Sequence, residues 1–152
     1  MLKPRVMLLF LLALVFSAEY SMSATNWQWV GTLTLSSNLE RKDYVDLETI
    51  VYDRAGRTIT YRVLSIVTEA GMTTRTYTRY LTSLETGYKT KVLDFQVHDA
   101  EDRQLMFTKE GWEDPTWEEP EELSLLQRAI DMVLEKLEGN GSGKNGAGRG
   151  IN

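Results

Sequence analysis

The sequence predicts an α+β domain: one antiparallel β-sheet of about six strands in a meander, with a single C-terminal α-helix packed across it. Three observations predict it. Apolar residues recur at every second position in successive runs between residues 27 and 108, the period of a half-buried strand. Short turns rich in Asp and Gly separate most of these runs, which demands antiparallel neighbours. Beyond residue 120 the apolar spacing lengthens to three and four residues, the period of a helix. No strand–helix–strand alternation occurs, so a parallel sheet is not expected.

The first strand is Trp27 to Leu35, with Trp27, Trp29, Leu33 and Leu35 on one face and Gln28, Thr32 and Thr34 on the other. Tyr44 to Tyr52 places Val45, Leu47 and Val51 together. Asp53-Arg54-Ala55-Gly56 follows as a turn, with Gly able to take positive φ. Thr58 to Val67 resumes with Ile59, Tyr61 and Val63 alternating against Thr58, Thr60 and Arg62, so these two runs form a hairpin. Thr73 to Leu84 is rich in Thr and Tyr, which favour strands. Glu85-Thr86-Gly87 turns the chain into Tyr88 to His98. The apolar phase of that run slips between Val92 and Leu93, which either a bulge or two-sided burial explains. Asp99 to Arg103 is a charged turn, and Gln104 to Thr108 a short strand with Leu105 and Phe107 on one face.

Leu123, Leu126, Ile130, Val133, Leu134 and Leu137 form the helix stripe. Glu121 and Glu122 suit the positive end of its dipole and Lys136 the negative end. Gly139 is the expected stop. Burying six such side chains contributes about 1.5–3 kcal/mol each, ample to dock the helix.

Neither end belongs to the domain. Lys3 and Arg5 precede an apolar run, Val6 to Phe16, and then small residues, the order of zones in an export signal. That run is shorter than the ~20 residues of a membrane-spanning helix. Residues 1–24 are read as a signal peptide, cleaved after Ser23 or Ala24, and 25–138 as the domain. No transmembrane anchor is expected in the mature chain. Residues 139–152 hold six Gly and too little apolar surface to offset ordering entropy, and are read as a disordered tail. The protein is expected outside the cytoplasm, in the periplasm or at the cell surface.

Composition narrows function. There is no Cys, so disulfides, thiolate metal sites and a cysteine nucleophile are excluded. One His excludes any mechanism that needs two imidazoles. The formal charge of −5 argues against a nucleic-acid partner. Residues 1–24 carry Lys3, Arg5 and Glu19, so the remainder has 15 basic and 21 acidic residues, net −6.

The pattern resembles the surface-adhesin protein E-like family of exported bacterial domains. The resemblance rests on Trp27-Gln28-Trp29, on Tyr44-Val45-Asp46-Leu47-Glu48-Thr49-Ile50, and on the Asp53–Gly56 turn with the Thr58-Ile59-Thr60-Tyr61 strand. Tyr88-Lys89-Thr90-Lys91 and Trp117 with Pro120 before the final helix complete it. It spans nearly all of 27–138. It implies a small antiparallel sheet with a C-terminal helix, export, and adhesin-like binding of proteins. Members often pair a cysteine in a late strand with one in the helix. This chain has neither, so its helix must be held by the apolar stripe alone.

Two segments are candidates for binding. Residues 110–122 contain seven acids interleaved with Trp112, Pro115, Trp117 and Pro120. Trp112, Trp117, Glu118 and Glu119 would form a recognition loop for a cationic partner, with aromatic anchors in a charged rim. The alternatives are a covering loop kept solvated by its acids and weak divalent-cation binding. The second segment is Thr73 to Tyr80, where Arg75, Tyr77 and Arg79 share a face that could engage an anionic group. A solvated outer face is the alternative. As an edge strand it could also pair with another chain.

His98 near Asp99, Glu101 and Asp102 lacks the spacing of a calcium loop and reads as a solvated turn. Asp46 and Glu48 lie one pleat apart, without the cleft a glycosidase pair needs. No phosphate loop or nucleophile elbow appears. The expectation is a non-catalytic binding domain with a protein ligand, no cofactor and no resident metal. The second expectation is a structural or accessory envelope component that forms homo-oligomers through a sheet edge.

Overall fold

In a computed structural model the described residues are 26–85, 87–109, 111–121 and 124–142. The expected signal peptide and the last ten residues of the expected tail lie outside them. Six strands form one sheet in chain order, every neighbour antiparallel. β1 is Trp27–Ser36, β2 Leu39–Asp53, β3 Thr58–Glu69, β4 Met72–Ser83, β5 Thr90–His98 and β6 Gln104–Phe107. The helix, α1, is Leu125–Ser142. The predicted fold class is the one observed.

One side of the sheet packs against α1. Its core comprises Val30, Val45, Ile59, Tyr61 and Val63 from the strands and Ala129, Ile130 and Val133 from the helix. β3 keeps strict alternation, so Ile59, Tyr61 and Val63 are all buried as expected. The Tyr61 hydroxyl is taken into this core with a partner, lying 3.1 Å from Thr82 Oγ1, which lies 2.8 Å from Thr90 Oγ1.

Bulges break the expected alternation elsewhere. Trp29 pairs with Tyr44, but Gly31 pairs with Asp43, so Val30 is an extra residue turned into the core. The phase inverts there. Trp27 and Trp29 fall on the side away from the helix and Leu33 on the helix side, not together as the period alone implies. In β2, four residues (47–50) stand opposite Tyr61 alone. Leu47 and Ile50 still reach the core, but Val51 is exposed. In β5 the pairing jumps from Arg79↔Asp94 to Tyr80↔Val92, so the phase slip is a bulge at Leu93.

The Asp53–Gly56 turn closes differently from expectation. Arg57, not Gly56, takes positive φ (49°). A Cβ at Gly56 would lie 2.8 Å from Asp53 Oδ2, so a larger residue there would make the exposed Asp53 carboxylate shift. β3 and β4 are joined through Ala70 and Gly71, both at positive φ, the pattern of a two-residue type I′ hairpin. β4 lies between β3 and β5, so it is an interior strand and not the edge considered above.

The helix is also shifted. Ser124 caps it, its Oγ accepting the Gln127 N–H at 3.1 Å. No acid lies in its first turn and no base in its last, because it starts after Glu122 and continues past Lys136. It runs through Gly139 to Ser142. The tertiary packing of the stripe outweighs the roughly 1 kcal/mol helix penalty of a Gly.

Candidate functional site

Residues opposite one another in adjacent strands share a side of the sheet, so the register assembles the face away from α1. One row crosses all six strands: Trp29, Tyr44, Leu64, Tyr77, Gln96 and Phe107. The row on one flank is Trp27, Asp46, Arg62, Arg79 and Asp94. That on the other is Thr32, Lys42, Ile66, Arg75 and His98. The face is thus a mostly aromatic row, flanked on one side by a row with two Arg and two Asp and on the other by a row that carries Lys42, Arg75 and His98. No described helix or strand covers it.

Its side chains form a layer of their own. The rings of Trp27 and Tyr77 meet with centroids 6.1 Å apart, and the His98 ring stands edge-on to Tyr77 at 5.1 Å. Beneath this layer Leu64 and Asp46 are buried. Trp29 remains 60% exposed, and Arg62 and Arg79 are exposed in the neighbouring row on β3 and β4.

Asp102 anchors one end. Tyr77 Oη donates to its Oδ1 at 3.2 Å. His98 Nδ1 lies 3.0 Å from its carbonyl oxygen and 3.2 Å from its Oδ1, and Arg75 Nη1 lies 3.8 Å from that same Oδ1. Asp102 holds this position at φ 65°. Burial, then the Asp102 charge, pushes the Tyr77 hydroxyl above its usual range. Arg79 pairs with Asp94 on β5. Arg75, Tyr77 and Arg79 therefore lie side by side on the open face, each with a polar partner.

The acidic loop is distributed over several neighbours. Trp112 packs edge-on to Phe95 at 5.7 Å, and Phe95 is on the helix side of the sheet by its pairing with Thr78. Trp117 instead lies under Lys91 Nζ, 5.2 Å from the ring centroid, and Lys91 also pairs with Glu113 at 2.8 Å. Glu118 exchanges two 2.8 Å backbone hydrogen bonds with Thr90, so the loop extends the edge of β5. The Glu119 carboxylate rests beside Gly87. The two Trp rings serve different neighbours and do not form a single anchor. Between this loop and the start of α1 lies a groove of about 560 Å³ lined by Tyr80, Lys91, Asp114, Glu118, Glu121 and Leu126.

Asp46 is fully buried. Asp46 Oδ1 accepts the Glu48 N–H at 3.0 Å and so pins the β2 bulge. Among the described residues no cluster of three or more His, Asp or Glu side chains is placed to hold a metal ion, and no helix is long and apolar enough to cross a membrane.

Arg75, Tyr77 and Arg79 were legible in the sequence from period two. Trp27, Trp29, Arg62 and the His98–Asp102 contact were not, because they join the face only through cross-strand register. Compared with protein-family models, curated proteins and solved structures, the chain gives no match.

Proposed function

We propose that this chain is an exported, non-catalytic binding domain of a bacterial envelope or cell surface, adhesin-like, with a protein ligand. One observation carries the reading. Among the described residues the sheet face opposite α1 is uncovered, and it bears Trp29 at 60% exposure on the same side as Trp27, Tyr77, Arg62 and Arg79. A solvated sheet face is mostly polar, and a group of aromatic side chains on one is the exception. Exposed aromatic and Arg side chains are the residues that dominate protein interfaces. The order of zones in residues 1–24 supports export, and the resemblance to the surface-adhesin protein E-like family supports the binding role.

The test compares wild type with Trp29→Ala and Arg79→Glu for retention on immobilised extracellular-matrix proteins and on isolated envelopes. Both substitutions should reduce binding at least about tenfold, the scale of one interface hot spot, with circular dichroism unchanged. Retention equal to wild type in both variants would remove the open face as the binding surface.

A further inference from the structure

We infer that β1 is the pairing edge for a second copy of this chain, joined antiparallel about a two-fold axis that crosses the Gly31–Thr34 stretch. Among the described residues β1 is paired on one side only, with β2. Its outer side presents backbone N–H and C=O groups whose natural complement is another strand. Edge strands that stay single are short, charged, bulged, covered or interrupted by Pro; β1 is bulged at Val30 and Leu35 but regular between them. β1 has ten residues, Trp27 to Ser36, with no charge and no Pro. The uncharged stretch continues to Leu39. Leu33 and Leu35 are 43% and 60% exposed along it. Between its two bulges, Gly31 to Thr34 keep regular register with Asp43 to Glu40, so this is where a further strand can add without distortion.

Charge selects a second copy at this edge. The protein is acidic, at −5, so most surfaces of two copies repel. β6, the opposite edge, is only four residues long, and the turn before it carries Asp99, Glu101 and Asp102 against one cation, Arg103. Copies meeting there would bring carboxylates together, which is unfavourable. The β1 strands themselves carry no charge, and a nearby cation, Arg128 over Gly31, lies on the helix side. A two-fold axis sets the exposed leucines of one copy near those of the other, a self-complementary contact. The six-stranded sheets then continue into one another as twelve strands. Both open faces stay uncovered, so the pairing is independent of what those faces bind.

The test uses sedimentation velocity across the micromolar range together with single-cysteine cross-linking, since the chain has no cysteine of its own. The wild type should dimerise. Leu33→Lys with Leu35→Lys should raise the dimer dissociation constant at least about tenfold, with the circular dichroism spectrum unchanged. Under mild oxidation Thr32→Cys or Leu33→Cys should form a covalent dimer, and Leu105→Cys on β6 should not. A monomeric wild type, a lysine variant that dimerises like wild type, or Leu105→Cys cross-linking as readily as both β1 variants would each overturn the inference.

Discussion

Trp27 on β1 and Tyr77 on β4 hold their rings 6.1 Å apart although two strands lie between them. Three strand spacings of about 4.8 Å separate their backbones, so both side chains lie over the sheet and roof Leu64 and Asp46. The open face is therefore an organised aromatic surface. Tyr77→Ala should uncover Leu64, release Asp102 and cost about 2–4 kcal/mol of unfolding free energy. Urea denaturation measures the loss. Tyr77→Phe, which keeps the ring, should cost about 1 kcal/mol.

Gly31 sits directly beneath α1. A Cβ there would come 2.8 Å from Leu125 Cδ2 and 3.3 Å from Arg128 Nη1. Arg128 can swing away, but Leu125 begins the packed helix. Gly31→Ala should destabilise the fold by about 1–3 kcal/mol through overpacking, read as a lowered urea midpoint with unchanged slope. Gly31→Ala combined with Leu125→Ala should recover part of that loss.

Arg41 forms a two-point ion pair with Asp43, at 2.8 and 2.7 Å, and donates to Ser65 Oγ at 3.2 Å. The Asp43 hydrogen bonds and charge raise the Arg41 pKa against the opposing effect of burial. Asp43 is 1% exposed whereas Arg41 is 37% exposed. Removing Arg41 would strand a buried carboxylate that water reaches only from one side. Arg41→Ala should cost about 2–3 kcal/mol, below the full range for a wholly buried pair. Arg41→Lys should recover less than half, because lysine lacks the fork that engages both oxygens.

Tyr61 and Tyr80 stack with centroids 5.8 Å apart, and burial raises the pKa of both hydroxyls. A raised folded value stabilises the fold fully below the unfolded value of about 10. That contribution is lost as pH rises towards the folded values, because only the unfolded chain then releases protons. Stability should be flat up to about pH 9 and then fall by up to about 1.4 kcal/mol per pH unit for each buried tyrosine. Urea midpoints measured stepwise into the alkaline range check this. Tyr61→Phe should lower the slope by nearly one proton.

Much of this fold was legible because period two survives wherever the strands are regular. β3 shows it, with Ile59, Tyr61 and Val63 all buried. β1 and β2 were legible as strands but not in their facing. Val30 and residues 47–50 are bulges, and one extra residue reverses every side chain beyond it. The slip at Leu93 was visible in the apolar phase, yet only pairing with β4 separates a bulge from two-sided burial. The helix end was misplaced because local propensity at Gly139 is a smaller effect than packing of the preceding stripe. For the candidate site, Arg75, Tyr77 and Arg79 follow from one strand alone. Their company with Trp27, Trp29 and Asp102 depends on four strands in register.

The proposed binding of an exported domain through its open face is read most directly by site-specific photocrosslinking in cells. A photoreactive residue is placed in turn at Trp29 and Arg79 on the open face and at Glu135 and Lys136 on exposed positions of α1. Adducts to proteins other than this chain are expected from positions 29 and 79, recovered in the envelope or surface fraction, and none from 135 and 136. Adducts confined to the helix positions, or no adduct from the open face in any exported fraction, would contradict it.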